Sequence, residues 1–213
     1  KAAEQTAKIQ ALQSRIRPHF LFNSMNVIAC LIPVNPDKAE QVVEDLSELF
    51  RASLQRTGAF VRISEELDLC QRYLHIESLR LGERLRVQWQ VETPPTEAEM
   101  PLLILQPLME NAIYHGIQPL PEGGIIKVEV YFTEDTMIAR ITNPLMDEEA
   151  AKLINGDGSP GRPRQPNKGN HIAIDNIRQR LEIGYGESAK LVTKQGSNSF
   201  QVELRCPTVP KII

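Results

Sequence analysis

Apolar positions recur at helical spacing early in the chain and alternate at strand spacing later. Ile9, Leu12, Ile16, Phe20 and Val27 keep one helical stripe, so residues 2–32 are read as one helix. Pro18 interrupts it by removing a backbone donor and crowding the carbonyl of Ser14, and the helix is expected to bend there. Pro33-Val34-Asn35-Pro36-Asp37 reads as a turn, because Pro36 disfavours helix at Asn35. Asn35 or Asp37 then caps a second helix that runs to about Thr57, with Val42, Val43, Leu46, Leu49, Phe50 and Leu54 as its stripe. Two helices joined by so short a turn form an antiparallel hairpin.

A third helix is expected from the cap residue Ser64 to Leu81, with Leu67, Cys70, Leu74, Glu77 and Leu81 in register and Gly82 as its stop. Residues 85–91 alternate as a strand, and residues 101–116 read as a buried helix with a polar end. Gly123-Gly124 turns into a hairpin of strands at 125–132 and 137–142. A helix at 171–184 and strands at 189–194 and 199–205 complete the pattern. The fold class is therefore α+β: a helical hairpin over residues 1–60, then an α/β sandwich over 61–213, with about five strands in one mixed sheet covered by helices. A lone hairpin cannot bury both of its stripes. Pairing two hairpins across a two-fold axis gives a four-helix bundle and a homodimer; the alternative is packing against the chain's own second domain.

Composition narrows the function. The formal net charge is -3 and the pI about 5.9, so there is no basic excess for phosphate-backbone contacts and direct nucleic-acid binding is disfavoured. Cys30, Cys70 and Cys206 are odd in number and far apart, which argues against a disulfide framework or a zinc site. No apolar run approaches the roughly 18 residues that span a bilayer. The chain opens on Lys1-Ala2-Ala3-Glu4-Gln5, helix-favouring and uncapped, which reads as a helix cut in mid-course with a further segment upstream.

Two constellations carry chemistry. In Arg15-Ile16-Arg17-Pro18-His19-Phe20-Leu21-Phe22-Asn23, helical spacing puts Arg15 one turn before His19 and Asn23 one turn after it. A neutral imidazole is a competent nucleophile, and Arg15 is placed to pair with a phosphoryl group arriving there. In Pro107-Leu108-Met109-Glu110-Asn111-Ala112-Ile113-Tyr114-His115-Gly116, a polar cluster ends an apolar helix, with Asn111 and His115 one turn apart. An amide oxygen suits Mg²⁺, and a neighbouring carboxylate or histidine can order its water or touch phosphate.

R-P-H-F-L-F-N resembles the phosphoacceptor box of LytS/YehU-type sensor histidine kinases, and P-L-M-E-N-A-I-Y-H-G resembles the N-box of the histidine-kinase ATPase superfamily. Ser64-Glu65-Glu66-Leu67 with Tyr73-Leu74, Ile76-Glu77, Leu79-Arg80 and Arg84-Leu85 is similar to that family's helix-to-strand junction, and Asn176-Ile177-Arg178-Gln179-Arg180-Leu181 fits its last helix. Within the family the combination is most similar to the alginate-biosynthesis sensors. The resemblance implies a cytoplasmic kinase core of an inner-membrane two-component sensor, with transmembrane helices upstream. His19 would take the γ-phosphoryl group of ATP and pass it to an aspartate on a response-regulator receiver domain. Glu110 would serve as base, Asn111 as Mg²⁺ ligand, and His115, Asn143, Gly169, His171, Asn176 and Arg180 as nucleotide contacts.

Two boxes depart from the family pattern. Where an adenine-reading Asp and glycines are expected, the chain has Ile141-Thr142-Asn143-Pro144, leaving an uncharged amide at Asn143 if that position aligns. Where a Gly-x-Gly-Leu phosphate turn is expected, it has His171-Ile172-Ala173-Ile174, with Gly169 just before. Residues 155–169, rich in Gly and Pro, stand where the family has its lid over ATP, with Arg162, Arg164 and Lys168 as cations. A scaffold that controls a response regulator without useful nucleotide binding is the alternative. A chaperone- or topoisomerase-type ATPase is a third reading, which leaves Pro18-His19 idle.

Overall fold

The computed structural model describes residues 18–55, 59–146 and 168–209, with the backbone alone for 168–173. Helix α1 is Pro18–Leu31 and helix α2 is Pro36–Leu54. Arg15 and the course of the chain before Pro18 lie outside the described residues, so the bend at Pro18 does too. Asn35 is the cap of α2: its side-chain oxygen accepts from the Lys38 N–H at 3.0 Å, and Pro36 fills a first-turn position whose N–H has no helical partner. The α2 stripe divides. Val42, Leu46 and Leu49 are buried, whereas Val43 and Leu54 point to solvent at 46% and 64% exposure.

Strand β1 (Phe60–Arg62) leads into helix α3 (Ile63–Leu81). Ser64 is not its cap; Arg62 holds that position and makes no side-chain capping bond, so the expected serine cap is corrected. The short β1 strand draws the chain into the helix instead, pairing antiparallel with β3 (Glu99–Pro101) in a two-stranded sheet that alternation did not reveal. Gly82 ends α3 with φ 56°, as expected of a residue without a Cβ penalty there.

Strand β2 is Leu85–Val91 and helix α4 is Leu105–Ala112, followed by a π-helical turn at Ile113–Ile117. The helix expected over 101–116 therefore starts later and changes pitch. Pro101 closes β3, and Leu102 and Leu103 turn the corner before α4. Strands β4 (Gly124–Thr133) and β5 (Thr136–Pro144) form the expected hairpin; helix α5 is Lys168–Tyr185, and β6 (Lys190–Gln195) and β7 (Ser199–Pro207) finish the sheet. The five-stranded sheet has the order β2-β4-β5-β7-β6, parallel at β2–β4 and antiparallel elsewhere, so it is mixed as expected.

One face of the sheet is apolar: Ile126, Val128, Val130, Met137, Ala139, Ile141, Val202, Leu204 and Cys206 are all buried. α4 and α5 cover this face, and α3 lies between α4 and the hairpin. One continuous buried cluster runs from Val42, Leu46 and Leu49 of α2 through α3 into the sheet. Within this chain the hairpin thus packs against its own second part. Phe20 and Tyr73 meet with ring centroids 5.0 Å apart, and Asp45 accepts from Arg72 Nη1 at 2.8 Å. Asp45 Oδ2 also lies 2.6 Å from His75 Nδ1. Packing of this kind leaves Phe22, Met25, Ile32 and Val34 of α1 and its turn exposed.

Candidate functional site

His19 stands in the first turn of α1, exposed to solvent. The Asn23 amide nitrogen lies 3.1 Å from its Nδ1 and 3.4 Å from its Nε2, the one-turn contact that helical spacing predicts. Next to it, Ser24 is buried and returns its hydroxyl to the Phe20 carbonyl at 2.8 Å. Phe20, pinned against Tyr73, fixes the inner side of the turn, so His19 faces outward.

The second cluster sits at the end of α4. Asn111 is buried at 6% exposure, while Glu110 is half-buried and accepts from Gln106 Nε2 at 3.2 Å. His115 lies in the π turn that follows α4, where the Gln118 N–H reaches the Ile113 carbonyl at 3.0 Å. Its ring meets that of Tyr114 edge-on, with centroids 4.9 Å apart. π turns of this kind occur mostly inside α-helices, and frequently at functional sites.

Thr142 and Asn143 face opposite sides of the sheet. Thr142 points to the open face of the sheet, where Gln201 Nε2 donates to its hydroxyl at 3.2 Å. Asn143 points inward, buried at 4% exposure, and packs against the backbone of Gly116. A Cβ on Gly116 would fall 2.4 Å from Asn143 Nδ2, so the two motifs that held these residues touch at this point. Asn143 Nδ2 also donates to the Pro144 carbonyl at 2.8 Å.

The α5 residues separate. Gly169 and His171 lie inside the first turns of α5 rather than ahead of it, and Asn176 is exposed on its surface. Arg180 turns away from solvent: Nη1 donates to the Leu103 carbonyl at 2.7 Å, and Nη2 donates to the Leu102 carbonyl. Its guanidinium ties α5 to the corner before α4. The proposed lid residues up to 167 fall outside the described residues, Arg162 and Arg164 among them, as does the side chain of Lys168.

Glu66, a residue of the junction motif, holds the corner before α4. It is fully buried, and its carboxylate accepts from the N–H groups of Leu103, Ile104 and Leu105 at 2.7, 2.8 and 2.7 Å and of Gln106 at 3.3 Å. These include the otherwise unsatisfied first donors of α4, and the carboxylate sits at the positive end of the helix. Burial pushes its pKa up, and the four backbone donors offset that only in part. A signal did exist: Glu66, Cys70, Tyr73 and Glu77 follow one another at helical spacing, and all four are buried. Glu77 is held by an ion pair with Arg80. Burial pushes the Cys70 thiol well above its usual range, and the Glu66 and Glu110 carboxylates beside it add to the shift.

Among the described residues no cluster of three or more His, Cys, Asp or Glu is set to hold a metal ion. Mg²⁺ at nucleotide sites is held mainly by substrate phosphates and water, with one or two protein oxygens. The buried Asn111 amide beside Glu110 suits that role.

A family model described as histidine kinase matches residues 7–85. The chain is 33% identical to the sensor histidine kinase YpdA of Escherichia coli over 184 residues, 85% of this chain and 31% of that protein. It is also 33% identical to the sensor protein LytS of Oceanobacillus iheyensis over 203 residues, 94% of this chain and 34% of that protein. The chain belongs to the LytS-type sensor histidine kinase family. It spans about a third of the length of these curated relatives. The sensor histidine kinase/phosphatase LytS of Staphylococcus aureus matches at 30% identity over 87% of this chain and 32% of its own. These relatives do not bear on the narrower placement with the alginate-biosynthesis sensors. Among solved structures, the catalytic domain of histidine kinase ThkA covers 74% of this LytS-type chain and 100% of its own length, with TM-score 0.49 and 16% identity.

Proposed function

We propose that this chain is the kinase core of a two-component sensor, which phosphorylates His19 from Mg-ATP and passes the phosphoryl group to an aspartate of a response-regulator receiver domain. The observation that carries the reading is His19, solvent-facing on a helix whose inner side is pinned by Phe20 against Tyr73, with Asn23 against its ring. A ring nitrogen attacks only when it has no proton. When the Asn23 amide donates to one ring nitrogen, the other carries the proton; turning the amide to present its oxygen frees the outer nitrogen. The new N–P bond forms as the bond to the ADP oxygen breaks and ADP leaves with the electron pair. The ring proton passes to Glu110 or to water.

Asn111 and Glu110 would hold Mg²⁺ and order its water, and Mg²⁺ supplies neutralisation of phosphate charge. Asn143 would accept from the adenine amino group, and His115, Gly169, His171 and Asn176 would line the phosphate side. Arg180 enters through its carbonyl contacts rather than as a ligand. The division at residue 60, into a phosphoacceptor hairpin and an ATP-binding part, follows from these roles. The exposed apolar residues Phe22, Met25, Ile32 and Val43 suit a second copy of the hairpin in a four-helix bundle. In the full-length sensor this core would lie on the cytoplasmic side of the inner membrane, below transmembrane helices. Among the described residues no helix is long and apolar enough to cross a membrane.

The test is radiolabelled Mg-ATP with the purified chain. Acid-labile label is expected on the wild type and none on His19→Ala. Equal labelling of both would end the assignment.

A further inference from the structure

Among the described residues, Leu103 is the non-glycine residue with positive φ, at 58°. A left-handed leucine is strained and persists only where its surroundings over-determine it. Both of its backbone groups are held by buried parts of charged side chains from different helices. Its N–H donates to Glu66 Oε2 of α3 at 2.7 Å, and its carbonyl accepts from Arg180 Nη1 of α5 at 2.7 Å. The second Glu66 oxygen takes the Ile104 and Leu105 N–H groups, and the second Arg180 nitrogen takes the Leu102 carbonyl. The acid thus holds the donors of this corner and the base its acceptors.

We propose that Glu66 and Arg180 form a two-sided clamp on Leu103 that sets the pose of Asn111 and Glu110, making both of them positioning residues for the nucleotide site. α4 begins at Leu105, so the torsions at Leu103 aim the helix that presents Asn111. Only a planar fork reaches two successive carbonyls, so lysine does not replace Arg180. The clamp also joins α5, which carries His171 and Asn176, to α4. A shift of either helix is therefore felt at this corner as well as through the direct packing of the two helices.

The inference rests on the proposed nucleotide site for its binding arm only. Arg180→Lys, Glu66→Gln and the double variant are compared with wild type in the purified chain. Without nucleotide, amide exchange at residues 103–105 is expected to quicken, and the Asn111 side-chain amide resonances to move. With Mg-ATP, each single variant is expected to raise Kd about tenfold, the usual effect of losing an outer-shell partner. The double variant is expected to add little, because both side chains act through Leu103. A folded Arg180→Lys with unmoved Asn111 resonances and unchanged Kd overturns the clamp, whatever happens to Glu66→Gln. Wild type that binds no Mg-ATP sinks the nucleotide reading instead, and the Asn111 resonances alone then decide the clamp.

Discussion

Helix α3 is gripped on two sides by different means. Towards α4 it offers Glu66, fully buried, with its carboxylate spent on four backbone N–H groups. Towards the hairpin it offers Tyr73 to Phe20, and Arg72 and His75 to Asp45, with side chains still 30% and 40% exposed. Asp45 between them is buried at 9% exposure, and the aromatic pair adds roughly 0.5–1.5 kcal/mol. A buried carboxylate that satisfies helix donors is costlier to remove, because its loss leaves those donors dry. The contrast fits the proposed division of labour. The corner before α4 is held by directed, buried hydrogen bonds, whereas the hairpin that carries His19 is held by the apolar packing of Val42, Leu46 and Leu49 together with the Asp45 pairs. Apolar packing is non-directional, so a hairpin held mainly by it can slide on α3 in a way that directed backbone bonds do not allow.

The contrast can be broken most directly at Glu66. Glu66→Ala is expected to cost about 3 kcal/mol or more in urea unfolding, since several buried N–H groups lose their acceptor. A loss below 1 kcal/mol would show that water replaces the carboxylate and that the anchor is no stronger than the hairpin contacts. Next in size is Gly116→Ala, whose Cβ would meet Asn143 Nδ2 at 2.4 Å. Forcing those motifs apart is expected to cost about 1–3 kcal/mol and to weaken Mg-ATP binding by calorimetry. Wild-type affinity in that variant would remove Asn143 from the site.

Asp45→Asn probes the other grip. It keeps the shape while removing the charge, and is expected to cost about 1–2 kcal/mol while quickening amide exchange in α1 and α2 selectively. If it cost as much as Glu66→Ala, the polar pairs rather than the apolar packing would carry this grip, and the contrast would fail.

The smallest effect lies on the open sheet face. The Arg140 guanidinium, helped by Arg205, holds the Glu203 carboxyl below the usual carboxylate range. Its stabilisation is therefore present above the unfolded-state pKa and is lost as pH falls through the lower folded one. Acid unfolding of Arg140→Met should have a shallower limb than wild type below about pH 4. Parallel curves would mean that this pair contributes nothing measurable.

Periodicity and turn chemistry were enough to place α1, α2, α3, α5 and the five strands of the main sheet. These elements are set by local rules: apolar spacing, Asn35 and Pro36 at a cap, Gly82 at a stop, and alternation along β4 and β5. The motifs around His19 and Asn111 were legible too, because their residue types are unusual neighbours within one turn. Tertiary structure decided what lies far apart in sequence. It turned Asn143 rather than Thr142 inward, against Gly116. It opened a π turn beneath His115, and it set the hairpin on α3 rather than leaving both stripes free. It also spent Arg180 on the carbonyls of Leu102 and Leu103 and Glu66 on the amides of the same corner. A charged side chain in a sequence announces only its charge. Which backbone groups it meets depends on segments that folding brings beside it, and periodicity carries no record of them.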